Sequence, residues 1–282
     1  MTREMTPEPG SFVHRGHRLH YETYGDGDQL VVYLHGLLLD ADLNRGIAEA
    51  LAERGNRVVL LDLLGHGASD KPDHASEYRM DLYVAQVTAL LDHIGAEEAV
   101  LGGVSLGANV SLLAASMHPE RVRGLILEMP VLEHAAPAIA LTFVPFMLAV
   151  HYARRPAAAV SRFVARLPRT PFSPFNSVLG ALSLGPDVVA AILHGILVGP
   201  VGPTFGERRQ ISVPTLVIGH NRDFIHPWSD AEALARILPS GRLTRASSVI
   251  ELRVRPRRLT GEIVAFLDEV WGDEDAGSAV SA

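Results

Sequence analysis

The chain has 282 residues, no cysteine and a formal net charge of -7. Its length fits one large α/β domain or a domain with an insertion. A hydrophobic content of 48% with 20% charged residues is that of a folded globular protein and excludes a disordered chain. The acidic balance leaves no electrostatic footprint for nucleic acid, and the absence of cysteine excludes disulfides and a thiol nucleophile.

The first ten residues are not expected to form a secretory signal. Residues 1–10 hold no apolar run, so we expect an N-terminal tail and a cytoplasmic protein. Phe12–Tyr24 alternates apolar and polar residues around Arg15-Gly16, which predicts a hairpin. Leu30–Leu34 then predicts an apolar strand, and an amphipathic helix follows it.

Apolar strands and helices alternate through the next hundred residues. Arg57–Leu61 predicts a buried strand, and a helix with a valine and leucine stripe follows. A second buried strand runs into the helix Leu106–Met117, and Gly124–Leu127 predicts another strand. Strands that alternate with helices in this way indicate a parallel sheet.

The alternation stops in the middle of the chain. Between Val131 and Gln210 we find no convincing strand, only helical segments broken by nine prolines. Strands resume at Pro214–Gly219 and at Arg242–Thr244. This block therefore predicts a helical insertion into the α/β domain.

The predicted fold is an α/β fold with a mostly parallel, twisted sheet, flanking helices and an inserted helical cap. We assign the core to residues 11–130 and 211–272. Residues 131–210 are the predicted cap. Residues 273–282 are predicted to form a disordered tail.

An apolar run, Ala135–Val150, lies in the predicted cap. It contains two prolines and is shorter than the roughly 18 to 20 residues that a membrane-spanning helix requires. We therefore predict no membrane span. The run is interpreted as a cap helix that faces an apolar pocket, with a membrane-facing surface as the alternative.

One pentapeptide carries the clearest chemical signal. Gly103-Val104-Ser105-Leu106-Gly107 joins a predicted strand to a predicted helix and matches the Gly-x-Ser-x-Gly nucleophile elbow. The serine takes strained backbone angles in so tight a turn, and side chains at Gly103 or Gly107 would clash. Ser105 is thus expected at the C-terminal edge of the sheet, with the Leu106 N–H directed to a developing oxyanion.

Four motifs in this order resemble the α/β-hydrolase superfamily, in particular its cap-bearing branch of esterases, lipases and C–C hydrolases. They are His35-Gly36 after a strand, the segment Asp62–Asp70 with its Gly-His-Gly turn, the serine elbow, and a strand that ends at Gly219 four residues before Asp223. The resemblance covers roughly residues 12–128 and 213–270.

The resemblance implies a role for several residues. Ser105 would be the nucleophile and Asp223 the acid that orients a histidine. The backbone N–H groups of Leu37 and Leu106 would form the oxyanion hole, in a loop shaped by His35-Gly36. Serine at the elbow argues against the epoxide hydrolases and dehalogenases of the superfamily, which carry aspartate there.

The histidine of this family is missing from its usual place. The resemblance puts it shortly before a proline that opens the last helix, here at about Val249 before Pro256. No histidine lies beyond His226. His226, three residues after Asp223, is the best substitute base, although a purely structural role is the alternative. Glu128, at the end of the strand after the elbow, is an alternative acid.

We therefore predict a hydrolase of small apolar esters or related acyl substrates, with a serine nucleophile and an oxyanion hole. The missing histidine leaves a second hypothesis open, a small-ligand binder or a lyase- or cyclase-type enzyme on the same fold. No cofactor or metal is implied, since the histidines and carboxylates show no ligand spacing. The expected partner is a small apolar molecule.

Overall fold

The computed structural model describes residues 6–221 and 223–278, with residues 273–278 described by backbone alone. Eight strands form one sheet in the order β1-β2-β4-β3-β5-β6-β7-β8. The strands are β1 (Glu8–His14), β2 (His17–Tyr24), β3 (Leu30–Leu34), β4 (Arg57–Asp62), β5 (Ala99–Val104), β6 (Val122–Glu128), β7 (Thr215–Gly219) and β8 (Gly241–Arg245). β2 pairs antiparallel with β1 and β4, and all other neighbours are parallel. The predicted α/β fold with a mostly parallel sheet is confirmed.

Helices cover both faces of the sheet and form the insertion. They are α1 (Arg45–Ala52), α2 (Met80–His93), α3 (Leu106–Met117), α4 (Ala136–Tyr152), α5 (Arg154–Val164), α6 (Ser173–Ser183), α7 (Pro186–Leu197), α8 (Phe205–Arg208), α9 (Trp228–Ile237), α10 (Glu251–Val254) and α11 (Arg257–Ser278). Five of them, α4 to α8, lie within the predicted cap, and residues 131–210 contain no strand.

The strand β3 shows why the sequences of the central strands are unbroken runs of apolar residues. Val32 and Leu34 point into the core cluster shared with α2 and α3. Val31 and Tyr33 point to the opposite face and join the cluster shared with α1 and α11. Because both faces of a parallel sheet are covered, every residue of such a strand is buried and none needs to be polar.

Two predicted boundaries differ from the structure. β1 begins at Glu8, inside the predicted tail 1–10, because Glu8 pairs with Thr23 across the hairpin. α11 continues into the predicted disordered tail 273–282, as an established helix gains one hydrogen bond for each residue added. Residues 279–282 lie outside the described part of the chain.

No single helix in the described residues is long and apolar enough to cross a membrane. Two neighbouring pairs, α4 with α5 and α6 with α7, reach that length and composition only together, each across a bend of 97°.

The parallel strands end along one edge of the sheet, where ligand sites of open α/β sheets are found. β3 ends before His35, β5 before Ser105 and β7 before His220, while β6 ends at Glu128. The sheet therefore brings these distant segments to a common edge.

Candidate active site

Ser105 occupies the tight turn between β5 and α3. Its backbone angles are φ 54° and ψ -109°, in a region that non-glycine residues rarely adopt. A Cβ atom added to Gly103 would lie 2.7 Å from the Leu34 carbonyl oxygen, and one added to Gly107 would lie 2.5 Å from it. Only glycine therefore fits on either side of the serine.

His226 lies between Ser105 and Asp223. Its Nε2 is 2.9 Å from the Ser105 Oγ, and its Nδ1 is 2.6 Å from the Asp223 Oδ2. An ionised carboxylate can only accept, so Nδ1 carries the proton and Nε2 presents a lone pair to the serine hydroxyl. The three side chains form a continuous hydrogen-bonded chain.

The loop after β7 supplies both the acid and the histidine. Asp223 and His226 are three residues apart, and the backbone N–H of Ile225 donates to the Asp223 Oδ1 at 2.7 Å. Pro227 follows directly and is the N-cap of α9, which fixes where the loop ends. This turn folds Asp223 back onto the ring of His226.

The carboxyl group of Asp223 is held in its charged form. Burial raises its pKa, but the hydrogen bond from His226, the charge of that residue and the backbone N–H of Ile225 outweigh burial and lower the pKa well below the usual range. The ring of His220 is buried beside the same carboxylate, and its Nε2 is 3.4 Å from the Asp223 Oδ2. Asp223 can therefore stabilise a positive charge on His226.

Glu128, the alternative acid of the sequence analysis, is engaged elsewhere. Its carboxylate accepts a hydrogen bond from the Tyr33 hydroxyl at 3.2 Å and pairs with the Arg253 guanidinium. Arg253 also donates to Asn44 Oδ1 at 2.8 Å. Both partners of the Glu128–Arg253 pair are buried, and no hydrogen bond or ion pair joins Glu128 to His226 in the described chain.

The usual place of the family histidine is apolar in this chain. Val249 and Ile250 precede α10 and line the cavity beside the serine. The helix α10 is anchored through Arg253, which reaches Glu128 at the end of β6. An arginine–glutamate pair thus stands near the position where the resemblance implies a histidine.

The loop after β3 lies beside the elbow, because a Cβ atom added to Gly36 would be 3.7 Å from the Val104 carbonyl oxygen. Leu39 N–H donates to the Gly36 carbonyl at 3.1 Å, and Leu38 has φ 62°, which makes a tight turn there. His35 accepts a hydrogen bond from Leu63 N–H at Nε2, 3.1 Å, so its Nδ1 proton is directed to the Gly36 carbonyl at 2.9 Å. Both ring nitrogens of His35 therefore serve the loop backbone.

The N–H group of Leu106 is available for an oxyanion because Leu106 is the first residue of α3, where backbone N–H groups have no intrahelical partner. Leu37 follows Gly36 in the loop after β3, beside the elbow. Both residues line the cavity that contains Ser105.

A cavity of about 480 Å³ opens above the serine, between the sheet edge and the predicted cap. Leucine, isoleucine, valine, methionine, phenylalanine and proline side chains form nearly all of its wall. Its polar lining residues are Ser105, Asn109, Asp223, His226 and Arg253. Polar groups are thus concentrated around the serine, and the rest of the cavity is apolar.

Two buried polar residues that the sequence analysis missed hold the ends of the predicted cap. Asn109 exchanges hydrogen bonds with both backbone groups of Val131 and donates to the Val201 carbonyl. Asp230, with no exposed surface, accepts from the backbone N–H groups of Leu132, His134 and Ala135. These contacts fix the predicted cap over the cavity.

No group of three or more histidine, aspartate or glutamate side chains with metal-binding geometry occurs within residues 6–221 and 223–272.

The strand order and a serine held in the turn after β5 define a protein of the α/β-hydrolase class. A family model described as "alpha/beta hydrolase fold" matches residues 29–248, and the chain belongs to this family.

Curated relatives match parts of the chain. It is 38% identical over 115 residues to epoxide hydrolase B of Mycobacterium tuberculosis (strain ATCC 25618 / H37Rv), across 40% of this chain and 32% of that protein. It is 40% identical over 74 residues to 2-hydroxymuconate semialdehyde hydrolase of Pseudomonas sp. (strain CF600), across 26% of each. The chain therefore matches about a third or less of the length of these relatives.

Solved structures match over nearly the whole chain. The enol-lactonase from Burkholderia xenovorans LB400 superposes with a TM-score of 0.74 at 21% identity, covering 92% of this chain and 99% of that one. At this identity the likeness shows the fold.

Proposed function

We propose that this protein is a serine hydrolase of small apolar esters or related acyl compounds, with His226 as an atypically placed base. The observation that carries the proposal is the 2.9 Å contact between the Ser105 Oγ and the His226 Nε2. The 2.6 Å contact of Asp223 on the other ring nitrogen supports it. The order of roles is that of a Ser–His–Asp triad.

In the proposed mechanism, Ser105 Oγ attacks the substrate carbonyl carbon while His226 Nε2 takes its proton. Asp223 holds the ring in the required tautomer and stabilises the imidazolium. The N–H groups of Leu37 and Leu106 donate to the oxyanion of the tetrahedral intermediate. His226 then protonates the leaving group, and a water activated by the same nitrogen hydrolyses the acyl-serine.

The cavity wall supports an apolar acyl substrate. A charged group bound there would lose its hydration without gaining a partner, because the polar lining is confined to the reacting centre and Arg253 is already paired. A volume of about 480 Å³ lies in the range of small-molecule pockets.

Serine at the elbow also bears on the type of reaction. Part of the chain is similar to epoxide hydrolases, and the epoxide hydrolases of the superfamily carry aspartate at the elbow position. Here the elbow residue is Ser105, which directs the proposal to acyl chemistry. A pure binding protein would have no need for a strained serine aligned with a histidine.

The proposal is tested with short p-nitrophenyl esters and four variants of the purified protein. Ser105→Ala, His226→Ala and Asp223→Ala remove the triad, while His74→Ala removes an exposed histidine as a matched control. We expect the parent and His74→Ala to turn over esters, and the loss of Ser105 or His226 to lower turnover by about 10⁶. A folded parent that neither turns over esters nor binds a fluorophosphonate would instead support the ligand-binding hypothesis.

A further inference from the structure

The inner face of α4 is apolar because it lines the cavity and packs on α7. Ile139 and Phe143 contribute to the cavity wall. Phe143, Met147 and Val150 pack against the buried cluster of Leu184, Val189 and Leu193. These residues recur every three or four positions, as expected for the buried stripe of one helix face.

The opposite face of α4 is also apolar, but it is uncovered. Leu141, Val144, Leu148 and Tyr152 are spaced at i, i+3, i+7 and i+11, which puts them on one outward stripe. Their exposed fractions are 68%, 39%, 46% and 83%. A helix that is apolar all round is normally buried, so this outward stripe requires a partner.

The charge of the predicted cap restricts that partner. Residues 135–186 contain five arginines and no aspartate or glutamate, in a chain of net charge -7. Arg154 pairs with Asp187 and Arg169 with Asp42. The other three, Arg155, Arg162 and Arg166, are exposed and have no acidic partner within the described residues.

These three arginines begin directly beyond the outward stripe. The stripe ends at Tyr152, and α5 starts at Arg154 after a bend of 97°. Arg155 and Arg162 are seven residues apart, so they lie on one face of α5. Segments that lie in a membrane interface combine apolar side chains with arginine or lysine, and α4 and α5 together supply both.

Part of the cavity wall is also exposed on the predicted cap. Phe172, Phe175 and Val178 line the cavity and are also 50%, 47% and 43% exposed. These three apolar side chains thus contact both the cavity and the solvent.

We propose that the predicted cap docks on the surface of an anionic lipid bilayer, with the α4 stripe in the interface and Arg155, Arg162 and Arg166 on the lipid headgroups. Charge complementarity favours this occupant over a second copy of the chain, because a symmetric contact would bring two basic caps together. Docking of this kind requires no catalytic step.

The test is flotation of the full chain with vesicles of phosphatidylcholine alone or with 30% phosphatidylserine. We expect binding to the phosphatidylserine vesicles that weakens with added salt. The triple variant Arg155→Gln, Arg162→Gln and Arg166→Gln is expected to bind about a hundredfold more weakly. The matched control is the triple variant Arg54→Gln, Arg236→Gln and Arg257→Gln. It removes the same charge from the segment after α1, from α9 and from α11, and it is expected to retain binding.

The apolar part of the proposal is tested by Leu141→Ser with Leu148→Ser, which are expected to abolish binding while ester turnover in the absence of vesicles is unchanged. Sedimentation velocity of the same variants distinguishes the other occupant. A concentration-dependent dimer of the parent that these two substitutions dissolve would overturn the proposal, as would a parent that fails to bind at millimolar lipid. A failure of ester turnover alone leaves the binding result intact, since flotation does not measure catalysis.

Discussion

Asp223 Oδ2 and His226 Nδ1 lie 2.6 Å apart and belong to residues only three positions apart in the chain. The proposed acid and base therefore come from one loop after β7. In the arrangement that the resemblance implies, the histidine comes from a later loop. A local turn here substitutes for a contact between two separate loops, and the Ser105 hydroxyl remains within reach of the ring.

Replacing Asp223 by Asn tests the orienting role. The amide cannot hold the Nδ1–H tautomer or stabilise the imidazolium, so we expect turnover to fall by about 10⁴. The measurement is kcat on a p-nitrophenyl ester. Retention of parental turnover in a folded Asp223→Asn protein would remove Asp223 from the mechanism.

Replacing Glu128 by Gln separates the alternative acid from a structural residue. The substitution leaves the Arg253 guanidinium buried without its counter-charge, so we expect a loss of about 3 to 5 kcal/mol in the free energy of unfolding. Turnover per folded molecule is expected to change far less than in Asp223→Asn. Urea unfolding and active-site titration measure the two effects, and the reverse ranking would make Glu128 the acid.

Asp230 is expected to be a stability residue of the predicted cap. Asp230→Ala leaves three backbone N–H groups without their acceptor, which costs about 3 to 5 kcal/mol. Urea denaturation measures the loss, with the exposed Asp73→Ala as control. An Asp230→Ala protein as stable as the control would show that these hydrogen bonds are replaced by water.

The buried His66 is expected to make the fold sensitive to acid. Burial lowers its pKa from 6.5 to about 3, so between these values the unfolded chain binds a proton that the folded chain does not. The free energy of unfolding must then fall with decreasing pH, by about 1.4 kcal/mol per pH unit from this group alone. The hydrogen bond to Asp62 raises the pKa of His20, which is therefore protonated in both states over most of this range.

Urea unfolding at pH 4, 5 and 6 measures this dependence. His66→Asn removes the titrating ring, so its unfolding free energy is expected to depend less steeply on pH by one proton. An unchanged slope would mean that another group controls acid stability. Burial raises the pKa of Asp62, but the hydrogen bond from His20, the charge of His35 and the backbone N–H groups of Ala68 and Ala41 together lower it to about 2. Asp62 therefore adds a further loss only below about pH 4.

Much of the fold follows from local patterns in the sequence. The apolar run Leu30–Leu34 is β3, and α3 has the predicted bounds Leu106–Met117. Those patterns are strong because buried parallel strands have no polar face and because the elbow glycines mark where a strand meets a helix. The predicted tail 1–10 extended too far, because Glu8 joins β1 by pairing with Thr23 and its own residue type does not indicate a strand.

The site could be predicted only in part. Ser105 and Asp223 have sequence signals, whereas the placing of the His226 ring depends on the conformation of a loop. The roles of Asn109 and Asp230 had no signal, because their partners are backbone groups up to 98 residues away. An aspartate in the first turn of a helix such as α9 is ordinarily explained by the helix dipole, which hides its contact with the predicted cap.

In the proposed mechanism, His226 activates Ser105 by accepting its proton. The most direct measurement is the second-order rate constant for fluorophosphonate labelling of Ser105 in the parent and in His226→Gln, with Ser105→Ala as the blank. We expect rapid labelling of the parent, a fall of at least about 10³ in His226→Gln, and none in the blank. Equal labelling of the parent and His226→Gln would contradict this mechanism.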